Sequence, residues 1–344
     1  MDGKGRLGEL RSKLQHRHQL AAVGRAPAEL RRAVKRGELL RILRGWYVAG
    51  SQWHALSFED QHRIRALAVH ANAIGRPVFS HHTAATLQSL PLLRFAGERV
   101  HLIAANTRST PRRTRSDTKE EVLPPTRVSR HRSPILKSEI AETTGLRHTD
   151  LIRTVLDVAR SSSFDAGLVC ADAGMRTLIN TRRIGIEEAR RVMLARLEEL
   201  PRSAGKDRAR RVTAFASPLV ESPLETLCRL QLARLGIAVR EQVEVVGSRG
   251  TSYRVDIELL GHRTFLEADG RNKYLDPKLR DGRTAEEVVL AEKRREDEIR
   301  AVTQFRMIRC RWNDSTTSGA MLDFLRGAGI DPPRPDGSAR PDLY

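Results

Sequence analysis

The sequence predicts a multidomain protein of mixed α+β and α/β class, and three observations lead there. Its 344 residues exceed what one hydrophobic core usually holds, which suggests two or three domains. Helical periodicity dominates residues 6–200, interrupted by short β-rich runs. Residues 253–274, YRVDIELLGHRTFLEADGRNKY, read instead as two β-forming runs about a tight turn.

Charge narrows the class of partner. Sixty-one Lys and Arg against 42 Asp and Glu leave +19, with a pI near 10.9, which favours a polyanion. Double-stranded DNA leads, because aromatic content of 4% argues against single-strand binding on stacked bases. The excess is uneven: residues 1–50 carry twelve basic and four acidic side chains, residues 251–315 fourteen and thirteen. Docking is therefore expected at the front of the chain and chemistry at the back. Cys170, Cys228 and Cys310 are widely spaced and lack a C-x-x-C, so buried reduced thiols are expected rather than disulfides or a zinc site. No apolar run approaches ~20 residues and the basic start leads into no signal core, so a cytoplasmic protein without membrane association is expected.

Taken in order, Leu7, Leu10, Leu14, Leu20 and Val23 give a broken helical pattern fitting two short helices. Pro27 suits a first helical turn, Leu30, Ala33 and Val34 form an inward stripe, and Gly37 is a stop. Arg31, Arg32, Lys35 and Arg36 crowd the remaining surface. LLRIL and WYVAG flank Arg44-Gly45 as a hairpin, and helix, turn, basic helix and hairpin together make a winged helix-turn-helix. In that reading residues 27–36 enter the major groove while Arg41 and Arg44 hold phosphate. A solvated basic helix is the bland alternative.

Residues 56–74 predict a helix, and Ser80 looks like the N-cap of another, AATLQSL. His81 and His82 lack an acidic or Cys partner at ligand spacing, so a structural role is favoured. Residues 99–103 form a short strand, and 107–132 a polar loop whose arginines either grip a backbone or face solvent. In the helix 149–160, Asp157 is a surface or buried-pair residue rather than a catalyst. Helical pattern fills 164–200 with a break near Ile184, and 201–216 is a linker.

The last domain, 217–330, opens with a helix capped by Ser222, with Pro223 first and Glu225 three after the cap, a capping box. Residues 242–246 begin a sheet. Gly261-His262 suits a two-residue type II′ turn, whose register counts back to set Asp256 opposite Glu267, with β-carbons on the order of 5 Å apart. Asp269 shares the face of Glu267. Crowded carboxylates call for a proton or a divalent ion, and hard oxygen ligands suit Mg²⁺ or Mn²⁺ in phosphodiester hydrolysis. Arg254, opposite Asp269 in this register, offers a plain salt bridge instead. Glu258 faces Phe265 and solvent. A charged helix over 285–302 carries Lys293, Arg294 and Arg295, of which one can face the carboxylates; 305–312 is the closing strand and 331–344 a disordered tail.

Two resemblances follow from these residues. Asp256 with Glu267-x-Asp269-Gly270-x-x-Lys273, and the segment 291–314, resemble the PD-(D/E)XK fold in its variant akin to very-short-patch-repair endonucleases. The resemblance implies that Asp256 and Glu267 are metal ligands, that Asp269 or Glu225 completes the shell, and that Lys273 or Lys293 substitutes for the signature lysine replaced here by Asp269. Residues 1–50, ending Arg44-Gly45-Trp46-Tyr47-Val48, and the pattern Ser80-His81-x-x-Ala84-Ala85-x-Leu87 with the helix over 149–160 resemble AbiEi-type antitoxins, which divides the chain at 1–50, a middle domain 51–200, and 217–330. The first resemblance implies a DNA endonuclease. The second implies a transcriptional regulator with a cognate toxin partner, in which the endonuclease-like domain is not catalytic.

Overall fold

In the computed structural model, residues 3–104, 126–269 and 284–333 are described; Lys273 and the expected tail from 334 onward lie outside them. The chain forms two compact units of mixed α/β structure. Residues 1–162 with 191–210 make unit 1, and residues 163–190 with 211–344 make unit 2.

Unit 1 begins α1 (Gly3–Lys13), β1 (Gln15–His16), α2 (Arg17–Ala22), α3 (Pro27–Lys35), β2 (Leu39–Leu43) and β3 (Trp46–Ala49). The strands form a sheet in the order β1-β3-β2, with Gly45 at φ +84° in the hairpin turn after Arg44. Leu20, Leu30, Ala33 and Leu39 seat α2 and α3 in a small core. Leu7, Leu10, Leu40, Ile42 and Val48, in contrast, join Trp53, Ile64, Phe79, Val100 and Leu102 in one larger core. A boundary at residue 50 would cut through that core, and the expected separate first domain is corrected accordingly.

Beyond α4 (Gly50–His54) and α5 (Phe58–Ala71), a five-stranded sheet runs in the order β6-β5-β4-β8-β7. Its strands are β4 (Val78–Phe79), β5 (Arg99–Ala104), β6 (Arg127–Arg132), β7 (Ile140–Thr143) and β8 (Leu146–Thr149). The end of the expected 107–132 loop is thus β6, paired parallel with β5, while 105–125 lie outside the described residues. The helices are α6 (His81–Leu87) and α7 (Leu151–Ser161). In α7, Arg153 and Asp157 are a buried pair, Nε to Oδ2 3.0 Å.

α8 (Phe164–Arg182), α9 (Ile186–Glu199) and α10 (Lys206–Phe215) follow. The last occupies most of the expected linker: Ala209 and Val212 are fully buried, so apolar spacing there builds helix. α8 belongs to unit 2 because its buried Asp172 accepts from Ser217 N (2.8 Å), Thr226 Oγ1 (2.9 Å) and Arg229 Nη2 (3.1 Å). Unit 2 continues with α11 (Pro223–Arg234), β9 (Val239–Val246), β10 (Ser252–Leu259), β11 (Thr264–Ala268), α12 (Ala285–Thr303), β12 (Arg306–Cys310) and α13 (Ser318–Gly327). Its sheet runs β12-β11-β10-β9, with only β11 and β12 parallel. One apolar cluster joins Ile257, Leu259 and Leu266 to α11 and α13; another joins Phe265 and Met307 to Ile299 of α12.

The β10–β11 turn differs from the expected type II′. His262 N donates to Leu259 O (3.1 Å), and Gly261 (φ +81°) and Arg263 (φ +46°) both take left-handed backbone. The loop is therefore four residues, and the register nevertheless keeps Leu259 against Thr264 and Glu258 against Phe265.

Candidate active site

Alternation on β10 buries Val255, Ile257 and Leu259 and leaves Asp256 and Glu258 half-buried on the other face. Glu258 pairs with Arg240 of β9 (3.3 Å). The β10–β11 ladder ends at Ile257 against Leu266, and the same count sets Asp256 beside Glu267 just past that end. There Ala268 N–H donates to Asp256 Oδ2 (2.9 Å), so a side chain replaces a ladder carbonyl. β9 is also irregular at this point. Pairing passes from Val255 against Val243 to Ile257 against Glu241, and the skipped Gln242 holds φ +49°. Non-glycine residues adopt that backbone at a cost of about 1–2 kcal/mol, so two strands depart from regular geometry at Asp256.

Glu225 comes from the first turn of α11. Ser222 Oγ accepts from Glu225 N (3.2 Å), the expected cap, but the reciprocal half of the capping box is missing. The buried carboxylate turns toward the sheet, where its Oε2 accepts from Glu221 N (2.8 Å) and Gln242 Nε2 (3.0 Å). Cys228, one turn further along α11, senses the same neighbourhood. A hydrogen bond with Cys310, burial, and the nearby Asp256 and Glu225 carboxylates push its thiol well above the ordinary range. It stays protonated at neutral pH and is no nucleophile. All three cysteines are buried free thiols.

Glu267 has a cationic partner that the sequence reading did not choose. Arg295 Nη2 lies 2.7 Å from Glu267 Oε1, and the same guanidinium donates to Arg254 O (2.7 Å) and Glu292 Oε1 (3.1 Å). Burial opposes the Arg295 charge, but the hydrogen bond with Glu267 and the charges of Glu267, Glu292 and Asp256 outweigh it and raise its pKa. Lys293 is corrected: it is exposed, about 200° around the helix from Arg295. Ile299 is the signal that could have chosen between them, being a buried apolar residue in a charged helix and one turn beyond Arg295.

Asp269 is half-buried, and its N–H donates to Cys310 O (2.9 Å), extending the parallel β11–β12 pairing. The Arg254–Asp269 bridge, the alternative to a metal at Asp269, is not formed. Arg254 pairs with Glu221 (2.6 Å), because the β10–β11 ladder stops before reaching it. No three carboxylates converge among the described residues; the one group of three potential ligands within 4.8 Å is histidine, in unit 1. The oxygen donors of Asp256 and Glu267 fit Mg²⁺ or Mn²⁺ in the mode that uses two carboxylates, with water and phosphate filling the shell. That mode requires Glu267 to exchange Arg295 for the ion.

On α3 of unit 1, Leu30 and Ala33 are buried while Arg31, Arg32 and Lys35 are exposed, as are Arg36 at its C-cap and Arg41 and Arg44 of the hairpin. Arg36 is partly committed, with Nε 2.6 Å and Nη2 3.1 Å from the two Glu38 oxygens. Among the described residues no helix is long and apolar enough to cross a membrane. No family model matches the chain, and no curated protein matches it.

Proposed function

We propose that this is a DNA-binding protein whose unit 2 hydrolyses phosphodiesters in the PD-(D/E)XK manner and whose first fifty residues hold duplex as a winged helix. The observation that carries the reading is Asp256 set beside Glu267 where the β10–β11 ladder ends. Asp256 and Glu267 would hold the divalent ion, and Glu225 steadies the site through Gln242. When bound, such an ion supplies Lewis acidity and lowers the pKa of its water. Arg295, once released from Glu267, is positioned to neutralise phosphate. Support for the winged helix is the order of helix, strand, two helices and hairpin, with six exposed basic side chains on α3 and the hairpin.

Purified Asp256→Ala is expected to lose Mg²⁺- or Mn²⁺-dependent nicking of supercoiled plasmid while still shifting duplex DNA. An unchanged nicking rate would remove the catalytic assignment.

Two observations favour a second reading, an antitoxin-like regulator with a non-catalytic endonuclease-like domain. Glu267 is already neutralised by Arg295, and Asp269 stands where a lysine would serve catalysis. In that case the parent protein shifts DNA, nicks none with either ion, and represses transcription from the DNA it binds.

A further inference from the structure

The five-stranded sheet of unit 1 gathers histidines that are distant in sequence. Phe79 pairs with Leu102, and the next residue, Ser80, donates its N–H to His101 O (3.0 Å) before the chain turns into α6 with His81. β5 and β6 run parallel with His101 against Ser129, so His131, two residues on, lies on the same side as His101. As a result His101 Nδ1 and His131 Nε2 are 2.8 Å apart, and the His81 ring stacks on His131 with centroids 3.7 Å apart. One ligand-capable nitrogen from each of the three rings lies within 4.8 Å of the other two.

This gathering has a cost that packing alone does not explain. Three imidazoles lose hydration that a single ring-to-ring hydrogen bond only partly replaces, and apolar side chains would fill the face more cheaply. His81 also holds φ +51°, a backbone conformation sparse outside glycine. Ser80 stands at the N-cap position, but its Oγ bonds no helix N–H; it lies 2.9 Å from His81 Nδ1. Asp157 Oδ2 stands 3.9 Å from the same nitrogen, so a hydroxyl and a carboxylate orient the ring as metal-bound histidines are oriented from behind. Burial holds His101 down to about 3 and lowers His81 and His131 too, so all three are neutral and carry a lone pair at pH 7. Arg153, whose charge reaches His81, is compensated by Asp157 (3.0 Å) and Glu139 (3.2 Å).

We propose that His81, His101 and His131 bind a transition-metal dication of the Zn²⁺ class, fastening β5, β6 and the start of α6 to one another. Nitrogen donors select such an ion over Mg²⁺. Tetrahedral Zn²⁺ with Zn–N of ~2.05 Å sets ligand nitrogens about 3.3 Å apart, so the His101–His131 pair opens by about half an ångström, the proton of their hydrogen bond moves to the other nitrogen of the donor ring, and the third ring closes in. The fourth position falls to solvent, since His101 and His131 are only half-buried.

The test uses untagged full-length protein, stripped with chelator and titrated with Co²⁺ and with Zn²⁺. One equivalent is expected, with the intense visible band of four-coordinate Co²⁺, and Zn²⁺ at ~100-fold over its Kd should raise the unfolding temperature by roughly 5–10 °C. His101→Asn and His131→Gln are each expected to lose the equivalent. Ser80→Ala should keep it but bind ~10-fold more weakly. His82→Gln, whose native ring hydrogen-bonds Ser162 (3.0 Å) and only packs against His101 (centroids 5.4 Å), should keep the equivalent. Zn²⁺ should also shield His101 and His131 of the unsubstituted protein from diethylpyrocarbonate. Absence of a saturable equivalent, unshielded histidines, or loss of the equivalent in Asp256→Asn/Glu267→Gln instead would each overturn the proposal.

Discussion

Arg295 and Glu267 decide how the acidic cluster of unit 2 is balanced. With side chains 22% and 13% exposed and 2.7 Å apart, they form a largely covered, charge-assisted hydrogen bond. Arg295→Gln should therefore lower stability by about 1–3 kcal/mol, measured by urea unfolding. Because it leaves Glu267 beside Asp256 without a cation, it should also make the midpoint respond to millimolar Mg²⁺. A variant as stable as the parent and indifferent to Mg²⁺ would deny the cluster its charge frustration. In unit 1 buried histidines add a pH dependence of their own. Burial lowers His62 and His82 to about 4 and His101 to about 3, helped by the charges of Arg63, Arg65 and Arg99. An unfolded chain takes up protons near pH 6.5 that these folded imidazoles refuse, so stability is lost as pH falls from about 6.5 toward 4. Asp157 works in the opposite direction. Burial raises it to about 6, so its contribution is present at low pH and fades as pH rises through 6, one carboxyl against several imidazoles. The urea midpoint should fall between pH 7 and pH 5, before most carboxylates titrate; a flat or rising midpoint would contradict the burial. Asp256 and Glu267 were legible in the sequence because strand register is counted from a turn. Arg295 was not, because helix phase is set by what packs beneath it.

Elements were legible where punctuation was strong. Pro27 and Gly37 bracket α3, Arg44-Gly45 turns the hairpin, and Ser222-Pro223 starts α11. The β7–β8 hairpin, turning at Thr144 and Gly145 with φ +49° and +84°, passed unread because its strands have four residues each and little alternation. The reach from α3 to the hairpin depends on one close approach that no periodicity reveals. Gly50 N donates to Glu38 O (2.8 Å), and a Cβ on Gly50 would stand 2.1 Å from Gly37 O, a backbone atom at a left-handed turn. Neither backbone can yield without disturbing the hairpin, so Gly50→Ala should cost about 1–3 kcal/mol or more. It should also weaken DNA binding, although the added methyl changes no charge. A parent-like unfolding midpoint and affinity in Gly50→Ala would show that this approach does not hold the hairpin in place.

At the scale of the molecule, length and charge were legible while the partition was not. Cores join residues that sequence distance separates, such as Leu7 with Leu102, so compositional boundaries fell inside one core rather than between two. The charge of +19 makes a prediction that belongs to the whole chain and to neither unit's chemistry. If Arg31, Arg32, Lys35, Arg36, Arg41 and Arg44 each neutralise a phosphate, affinity for duplex DNA should fall ~10³-fold between 50 and 200 mM salt. Arg31→Ala/Arg32→Ala should reduce the slope of log affinity against log salt by about two, and should do so for any duplex sequence, since phosphate contacts carry no base information. Arg36 tests the assignment more finely. Its bidentate hold on Glu38 has to open before it can meet phosphate, so Glu38→Gln should tighten binding at low salt, and Arg36→Ala should change the slope less than either exposed neighbour. A slope that stays flat across the parent and all of these variants would place the polyanion elsewhere on the chain and leave α3 an ordinary solvated helix.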